Sequence, residues 1–118
     1  MFILEKRDGY YFAKVSGKLS HKDYIEDLIP KIEAALADQT ENKFIMDITE
    51  FQGWSEIRAA YDDFKTGMKH RKDFEKIAII GDKKWEEFII KTFGLFIKAK
   101  VKFFYTENND DAENWITK

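Results

Sequence analysis

Few side chains in this sequence are of the types that usually carry out catalysis. The chain has no cysteine, which excludes disulfides and thiolate chemistry and favours the reducing cytosol. Its two histidines, His21 and His70, fall on separate predicted helices, and no spacing of His, Asp or Glu is typical of a zinc site. No serine lies in a Gly-x-Ser-x-Gly elbow, and no glycine-rich phosphate loop is present. We therefore predict no catalytic residue, no metal and no cofactor.

Asp47 is the carboxylate whose predicted position comes nearest to that of a site residue. It falls at the carboxyl end of a predicted strand, where ligands of open α/β sheets bind. A structural role, in which Asp47 accepts hydrogen bonds from the neighbouring backbone, is the favoured interpretation. An enzyme using Asp47 and His70 is the weaker alternative.

Two hydroxyl side chains, Thr49 and Ser55, flank the segment that precedes a predicted second helix. A phosphate at either position would meet the free N–H groups and the positive dipole end of that helix. The simpler interpretation is that Ser55 is an ordinary N-cap.

A compact basic cluster ends the second predicted helix and consists of Lys69, His70, Arg71 and Lys72. It could bind a phosphate-bearing group or an acidic partner, although cations at a helix C-terminus have a simpler electrostatic explanation. Nucleic acid is not an expected partner, because 22 acidic residues outnumber 20 basic ones and the net charge is -2.

The elements that would position these side chains fit one domain of 118 residues, spanning 1–118. Strands are predicted at 2–6, 10–16, 44–48, 77–81 and 101–105, and helices at 20–37, from residue 55 to about 72, at 83–98 and at 109–116. Pro30 should kink or split the first helix. The fold class is therefore α/β, a four- or five-stranded mixed sheet in the order ββαβαβαβα, with an N-terminal hairpin as its antiparallel edge.

Two large aromatics, Phe51 and Trp54, stand in the predicted loop at 49–54. Gly53 between them is expected to supply a backbone angle that other residues avoid. We predict that Phe51 anchors the loop to the core and that Trp54 is exposed.

The third predicted helix, KKWEEFIIKTFGLFIK at 83–98, is apolar around an arc of roughly 220°, measured at 100° per residue. A helix on one side of a sheet needs an apolar stripe of only about 100°. The surplus must meet a neighbouring helix, an internal apolar cavity, a second subunit or a bilayer surface.

The chain resembles the SpoIIAA-like group of small bacterial proteins, which is related to STAS and CRAL-TRIO lipid-transfer domains. The resemblance is carried by LSHKDYIEDLIPKIE (19–33), FIMDITEFQGWS (44–55), FKTGMKHRKDFEKIAIIGDKKWEEFIIKTFGLF (64–96) and VKFFYTENNDDAENWI (101–116). It implies a mixed sheet with helices mainly on one side, and it does not imply an enzyme.

The resemblance also bears on regulation and on ligands. STAS domains of the anti-sigma-antagonist type carry a phosphorylatable serine in an Asp-Ser-Ser-Gly-like loop before the second helix. The corresponding segment here, from Asp47 to Ser55, departs from that motif, so the phosphorylation site is not carried over. Lipid-transfer relatives hold an apolar ligand under a mobile helix, which suits the wide apolar arc of the third helix.

The leading hypothesis is a non-catalytic, cytoplasmic STAS-like module that binds an apolar or lipid-like molecule or a protein partner through helices 2 and 3. The expected surface consists of Phe51, Trp54, Phe64, Trp85, Phe88, Phe93 and Phe96. The alternative is a regulatory protein-interaction domain of the anti-sigma-factor-antagonist type. No membrane span is expected, and a homodimer through helix 3 is a reasonable assembly.

Overall fold

The computed structural model describes residues 2–38, 42–56, 58, 59, 62, 65, 75–82 and 100–118. Five strands form one sheet: β1 (Phe2–Arg7), β2 (Tyr10–Leu19), β3 (Lys43–Trp54), β4 (Lys76–Gly81) and β5 (Lys100–Tyr105). A first helical run comprises α-helix at His21–Asp23, π-helix at Tyr24–Leu28 and α-helix at Ile29–Asp38. A 3-10 turn at Thr106–Asn108 leads into a terminal helix at Asn109–Thr117.

The strands lie side by side in the order β1-β2-β3-β4-β5. β1 and β2 are antiparallel and the other three pairings are parallel. Asp8 and Gly9 make the hairpin turn, and Gly9 has a φ of 88°, a value that glycine adopts without strain. The predicted mixed sheet with an antiparallel N-terminal edge is therefore confirmed.

The order of elements within the described residues is ββαβββα, which differs from the predicted ββαβαβαβα at two places. The predicted helices 2 and 3 fall almost wholly on residues that the structure does not describe. Of that part of the chain, Arg58, Ala59, Asp62 and Lys65 are described, and all four are helical. The first helical run and the terminal helix are the two predicted helices that the described residues contain.

The prediction of a loop at 49–54 is wrong, because these residues extend β3 as far as Trp54. Their pairing partner is the end of β2, which continues to Leu19 instead of stopping at Ser16. The extension needs two irregularities in register, between Lys14 and Ser16 and between Gly17 and Lys18. A β-bulge lets two strands stay paired although one of them has an extra residue. The pairing can therefore continue through a polar, glycine-containing segment whose sequence alone predicts a loop.

The first helical run begins where the sequence predicts, immediately after Ser20. Ser20 Oγ accepts the N–H of Asp23 at 3.1 Å, and the Asp23 carboxylate accepts the N–H of Ser20 at 2.9 Å. This reciprocal pair satisfies donors at the N-terminus, as a capping box does. Pro30, which has no N–H to donate, lies in the first turn of the α-helix that follows the π-helical stretch, a position where a missing N–H costs little.

The core lies on both faces of the sheet, because successive β4 residues face opposite ways. Ile77 and Ile79 join a cluster with Leu28 and Ile32 of the first helical run. Ala78 and Ile80 join a second cluster that the terminal helix completes through Ala112, Trp115 and Ile116. β5, by contrast, is the edge strand opposite β1, and Lys102 on it is exposed. Among the described residues, no helix has the length and apolar character needed to cross a membrane.

Candidate functional site at the carboxyl edge of the sheet

The parallel strands β2 and β3 end side by side, with Leu19 and Trp54 in register. The next residue, Ser55, ties the two ends together. Its backbone N–H donates to the carbonyl of Leu19 at 2.9 Å, and its hydroxyl donates to the same oxygen at 3.3 Å. The chain after β3 is therefore held against the chain after β2.

A second set of contacts joins the first helical run to the residues that follow β3. The backbone N–H of His21 donates to the Glu56 carboxylate at 3.0 Å. The Nδ1 atom of the His21 imidazole contacts a carboxylate oxygen of Asp62. We call the five residues Leu19, His21, Ser55, Glu56 and Asp62 the carboxyl-edge tether. Backbone and side-chain contacts together hold two segments of the chain that are far apart in sequence.

The aromatic pair before the tether packs on the core. Phe51 is buried and belongs to the cluster beneath the first helical run, as predicted for an anchor. Trp54 is half-buried and packs on the same cluster, and its ring meets that of Phe51 edge-on, with centroids 5.3 Å apart. Gly53 has a φ of 97°, so the predicted special backbone angle is confirmed, although it occurs within a strand. Trp54 is thus less exposed than predicted.

Asp47 acts on its own strand. One of its carboxylate oxygens accepts both the N–H of Thr49 at 2.9 Å and the Thr49 hydroxyl at 2.7 Å. The favoured structural role is therefore confirmed, but Asp47 lies within β3 and not at its carboxyl end. Nearby, a hydrogen bond from Lys14 to Glu50 raises the pKa of the Lys14 ammonium. The Thr49 hydroxyl is therefore engaged by the Asp47 carboxylate.

The tether presents exposed polar groups and little catalytic machinery. Ser55, Glu56 and Arg58 are exposed, whereas Asp62 is half-buried. His21 pairs with a carboxylate, but the hydroxyl of Ser55 donates to Leu19 and not to the imidazole. The described part of the chain contains no group of three or more side chains suited to hold a metal ion.

Of the residues predicted to form a site, the structure places four. Phe51, Trp54 and Ser55 lie together at the carboxyl edge, and Thr49 lies earlier on β3. The remaining predicted residues lie outside the described part of the chain: Phe64, Lys69, His70, Arg71, Lys72, Trp85, Phe88, Phe93 and Phe96. The predicted aromatic surface across helices 2 and 3, and a homodimer through helix 3, stay predictions.

Sequence reasoning missed the contacts of His21, Glu56 and Asp62. A partial signal was present, because the Ser20 cap sets His21 at the start of a helix that follows a parallel strand. The matching start after β3 brings Glu56 to the same edge. The identity of the partners still required the register of β2 against β3, which the mistaken loop at 49–54 concealed.

Comparison with known proteins places this geometry in a family. Residues 11–117 match the model of the SpoIIAA-like family. The chain is similar to an uncharacterised protein with a SpoIIAA-like fold from Shewanella loihica PV-4, with 38% identity, 98% of this chain and 92% of that chain covered, and a TM-score of 0.80. A search of curated proteins finds no match.

A more distant structural similarity concerns an anti-sigma factor antagonist from Mycobacterium paratuberculosis. The identity is 17%, the coverage is 100% of this chain and 94% of that chain, and the TM-score is 0.69. At this identity the similarity shows that the fold is shared.

Proposed function

The chain belongs to the SpoIIAA-like family, and on that premise we propose that it is a regulatory module that binds a protein partner through the carboxyl edge of its sheet. The anti-sigma factor antagonist that shares the fold supports a regulatory role of this class. The observation that carries the proposal is the carboxyl-edge tether, which holds exposed Ser55, Glu56 and Arg58 on a fixed backbone. Protein-binding surfaces commonly combine polar groups with aromatic side chains such as tryptophan.

We propose further that Ser55, and not Thr49, is the residue at which phosphorylation would control this surface. Ser55 is exposed, and its hydroxyl makes one long hydrogen bond of 3.3 Å. The Thr49 hydroxyl is half-buried and donates to Asp47 at 2.7 Å, so a phosphate there would stand against a carboxylate. A phosphate on Ser55 would remove the hydroxyl donor to Leu19 and add a dianion next to Glu56, and both effects would loosen the tether.

Phosphorylation is tested by incubating the purified chain with extract of the source cells and labelled ATP. We expect label on the wild type and on Thr49→Ala, and none on Ser55→Ala. Label that persists in Ser55→Ala, or a wild type that takes up none, would contradict the assignment to Ser55.

Partner binding is tested separately with a photo-crosslinking amino acid placed at one of two exposed positions. Gln52 lies near the carboxyl edge, and Ala34, the control position, is exposed on the first helical run and belongs to neither edge of the sheet. We expect one defined protein adduct from position 52, identified by mass spectrometry and diminished by Ser55→Asp, and none from position 34. Equal adducts from both positions would argue against a carboxyl-edge interface.

An apolar or lipid-like ligand is the second candidate function, and the apolar excess of the sequence at 83–98 is what supports it. Native mass spectrometry after gentle purification tests it directly. A bound acyl chain would support the candidate, and a ligand-free chain that leaves hydrophobic dyes unaffected would count against it. A cytoplasmic location remains a prediction from the absence of cysteine.

A further inference from the structure

A row of lysines occupies the amino edge of the sheet, opposite the carboxyl-edge tether. Lys43, Lys76 and Lys100 are the first residues of β3, β4 and β5. Lys43 is in register with Lys76, and Lys76 is in register with Lys100. Neighbouring strands lie about 4.8 Å apart, and like charges directly opposite one another are destabilising. Because the whole chain has a net charge of -2, this row does not follow from a basic composition.

One of the three lysines has a structural explanation. Lys76 Nζ donates to the carbonyl of Trp115 at 3.1 Å and lies 5.2 Å from the centroid of the Trp115 ring. It thereby caps the last turn of the terminal helix, where a cation also complements the helix dipole. The cap uses one cation and does not account for its neighbours.

Lys43 and Lys102 are the other two lysines of this edge whose side chains the structure describes. Lys43 is half-buried, and Lys102 is exposed with its Nζ 5.3 Å from the centroid of the Phe104 ring. Neither forms an ion pair with a carboxylate of the described residues. Elsewhere in the described chain, by contrast, lysines do pair with carboxylates: Lys14 with Glu50, Lys22 with Glu26 and Lys31 with Asp27.

We propose that this amino-edge lysine row, Lys43 and Lys76 together with Lys102, docks an acidic segment of a partner protein. Carboxylates arriving from a partner would offset the repulsion between these cations, none of which forms an ion pair with a carboxylate of the described residues. The half-buried ring of Trp115 adds an aromatic surface at the same place. A protein segment suits the row better than nucleic acid, because a few cations on an acidic chain release too few counterions for useful binding to a duplex.

The test titrates a polyglutamate peptide into the whole chain at low salt and follows Trp fluorescence and heat. Lys43→Gln/Lys102→Gln removes two charges from the row and leaves the Lys76 cap intact. Lys18→Gln/Lys65→Gln removes two charges from exposed lysines outside the row and is the matched control. We expect about fivefold weaker binding in the row variant and a change below about twofold in the control. Adding salt should weaken binding to the wild type.

Amide chemical shifts locate the peptide independently of affinity. We expect shifts at the first residues of β3, β4 and β5 and none at Ser55 or Glu56. The proposal is overturned by a wild type that does not bind polyglutamate, by equal weakening in both double variants, or by tighter binding of a DNA duplex than of the peptide. Because the row lies at the edge opposite the tether, these outcomes do not depend on the function proposed for the carboxyl edge.

Discussion

Ser20 and Asp23 exchange two hydrogen bonds where the first helical run begins. The N–H of Ser20 stabilises the ionised carboxylate and holds the pKa of Asp23 below its ordinary value. A carboxyl group whose pKa falls on folding stabilises the native state fully above its unfolded value, near 3.9. That contribution is lost as the pH falls through the lower, folded value.

Asp23→Asn should therefore lower the free energy of unfolding by about 1 kcal/mol near neutral pH, the usual cost of a lost cap. The difference from the wild type should shrink once the pH is well below about 3.9, since the wild-type carboxyl is then protonated too. Urea denaturation across that range measures both effects. Glu113→Gln, which alters an exposed carboxylate on the terminal helix, is the control and should stay within about 0.5 kcal/mol. A penalty for Asp23→Asn that is independent of pH would contradict the capping role.

Local sequence predicts contacts of this kind and not the longer ones. The spacing of Ser20 and Asp23 is enough to identify the cap, because both partners lie within one turn. The contact between His21 and Asp62 joins residues 41 positions apart, and no pattern in either segment predicts it. The tether could be found only after the two strands before it had been aligned.

The extension of β3 to Trp54 likewise could not be predicted from local sequence. Its residues 49–54 contain a glycine and several polar side chains, which alone favour a loop. β2 supplies partners beyond Ser16 for Phe51, Gly53 and Trp54, and Gln52 is the extra, exposed residue at the second register irregularity. Cross-strand pairing thus overrides local preference, as is common for β structure.

Gly53 makes that extension feasible, because its φ of 97° is one that residues with a Cβ rarely adopt. Gly53→Ala should destabilise the chain by about 1–3 kcal/mol, the usual cost of a strained backbone conformation. Gln52→Ala, at the exposed neighbouring position, should change the stability by less than about 0.5 kcal/mol. Thermal or urea unfolding compares the two, and equal effects would mean that the backbone at position 53 is not under this constraint. If the tether depends on the extension, Gly53→Ala should also weaken the crosslink from position 52.

At the scale of the whole molecule, the sheet is covered on both faces and its two ends differ in chemistry. The first helical run packs on one face and the terminal helix on the other, so β3 and β4 are buried between layers. Lys31 reaches from the first helical run to the carbonyl of Phe2 at 3.0 Å and so ties that run to the edge strand β1. The carboxyl edge carries the tether and the amino edge carries the lysine row.

The sequence predicted the strands, the hairpin, the terminal helix and the mixed sheet. The spacing of apolar residues shows which side of each element is buried, and the buried sides determine how the helices and the sheet pack together. It named Phe51, Trp54 and Ser55 as site residues, but it predicted neither the tether nor the lysine row. Both depend on register: Leu19 beside Trp54 at one edge, and Lys43 beside Lys76 at the other. Register is a property of the assembled sheet, and in the sequence the lysines are separated by whole crossovers.

The terminal helix offers a test of whether the two layers form one cooperative unit. Ile116 is fully buried against β3, β4 and β5, and Ile25 in the π-helical stretch is 53% exposed. Ile116→Ala should lower the free energy of unfolding by about 2–5 kcal/mol, and Ile25→Ala, which removes the same atoms, by less than about 1 kcal/mol. Urea unfolding of Ile116→Ala should still show a single transition, and the slope of the free energy of unfolding against urea concentration should not change. The reason is that detaching the helix would expose Ile45 and Ile80, so the sheet should not persist without it. Two separate transitions in Ile116→Ala would mean instead that the helix detaches on its own and that the sheet persists without it.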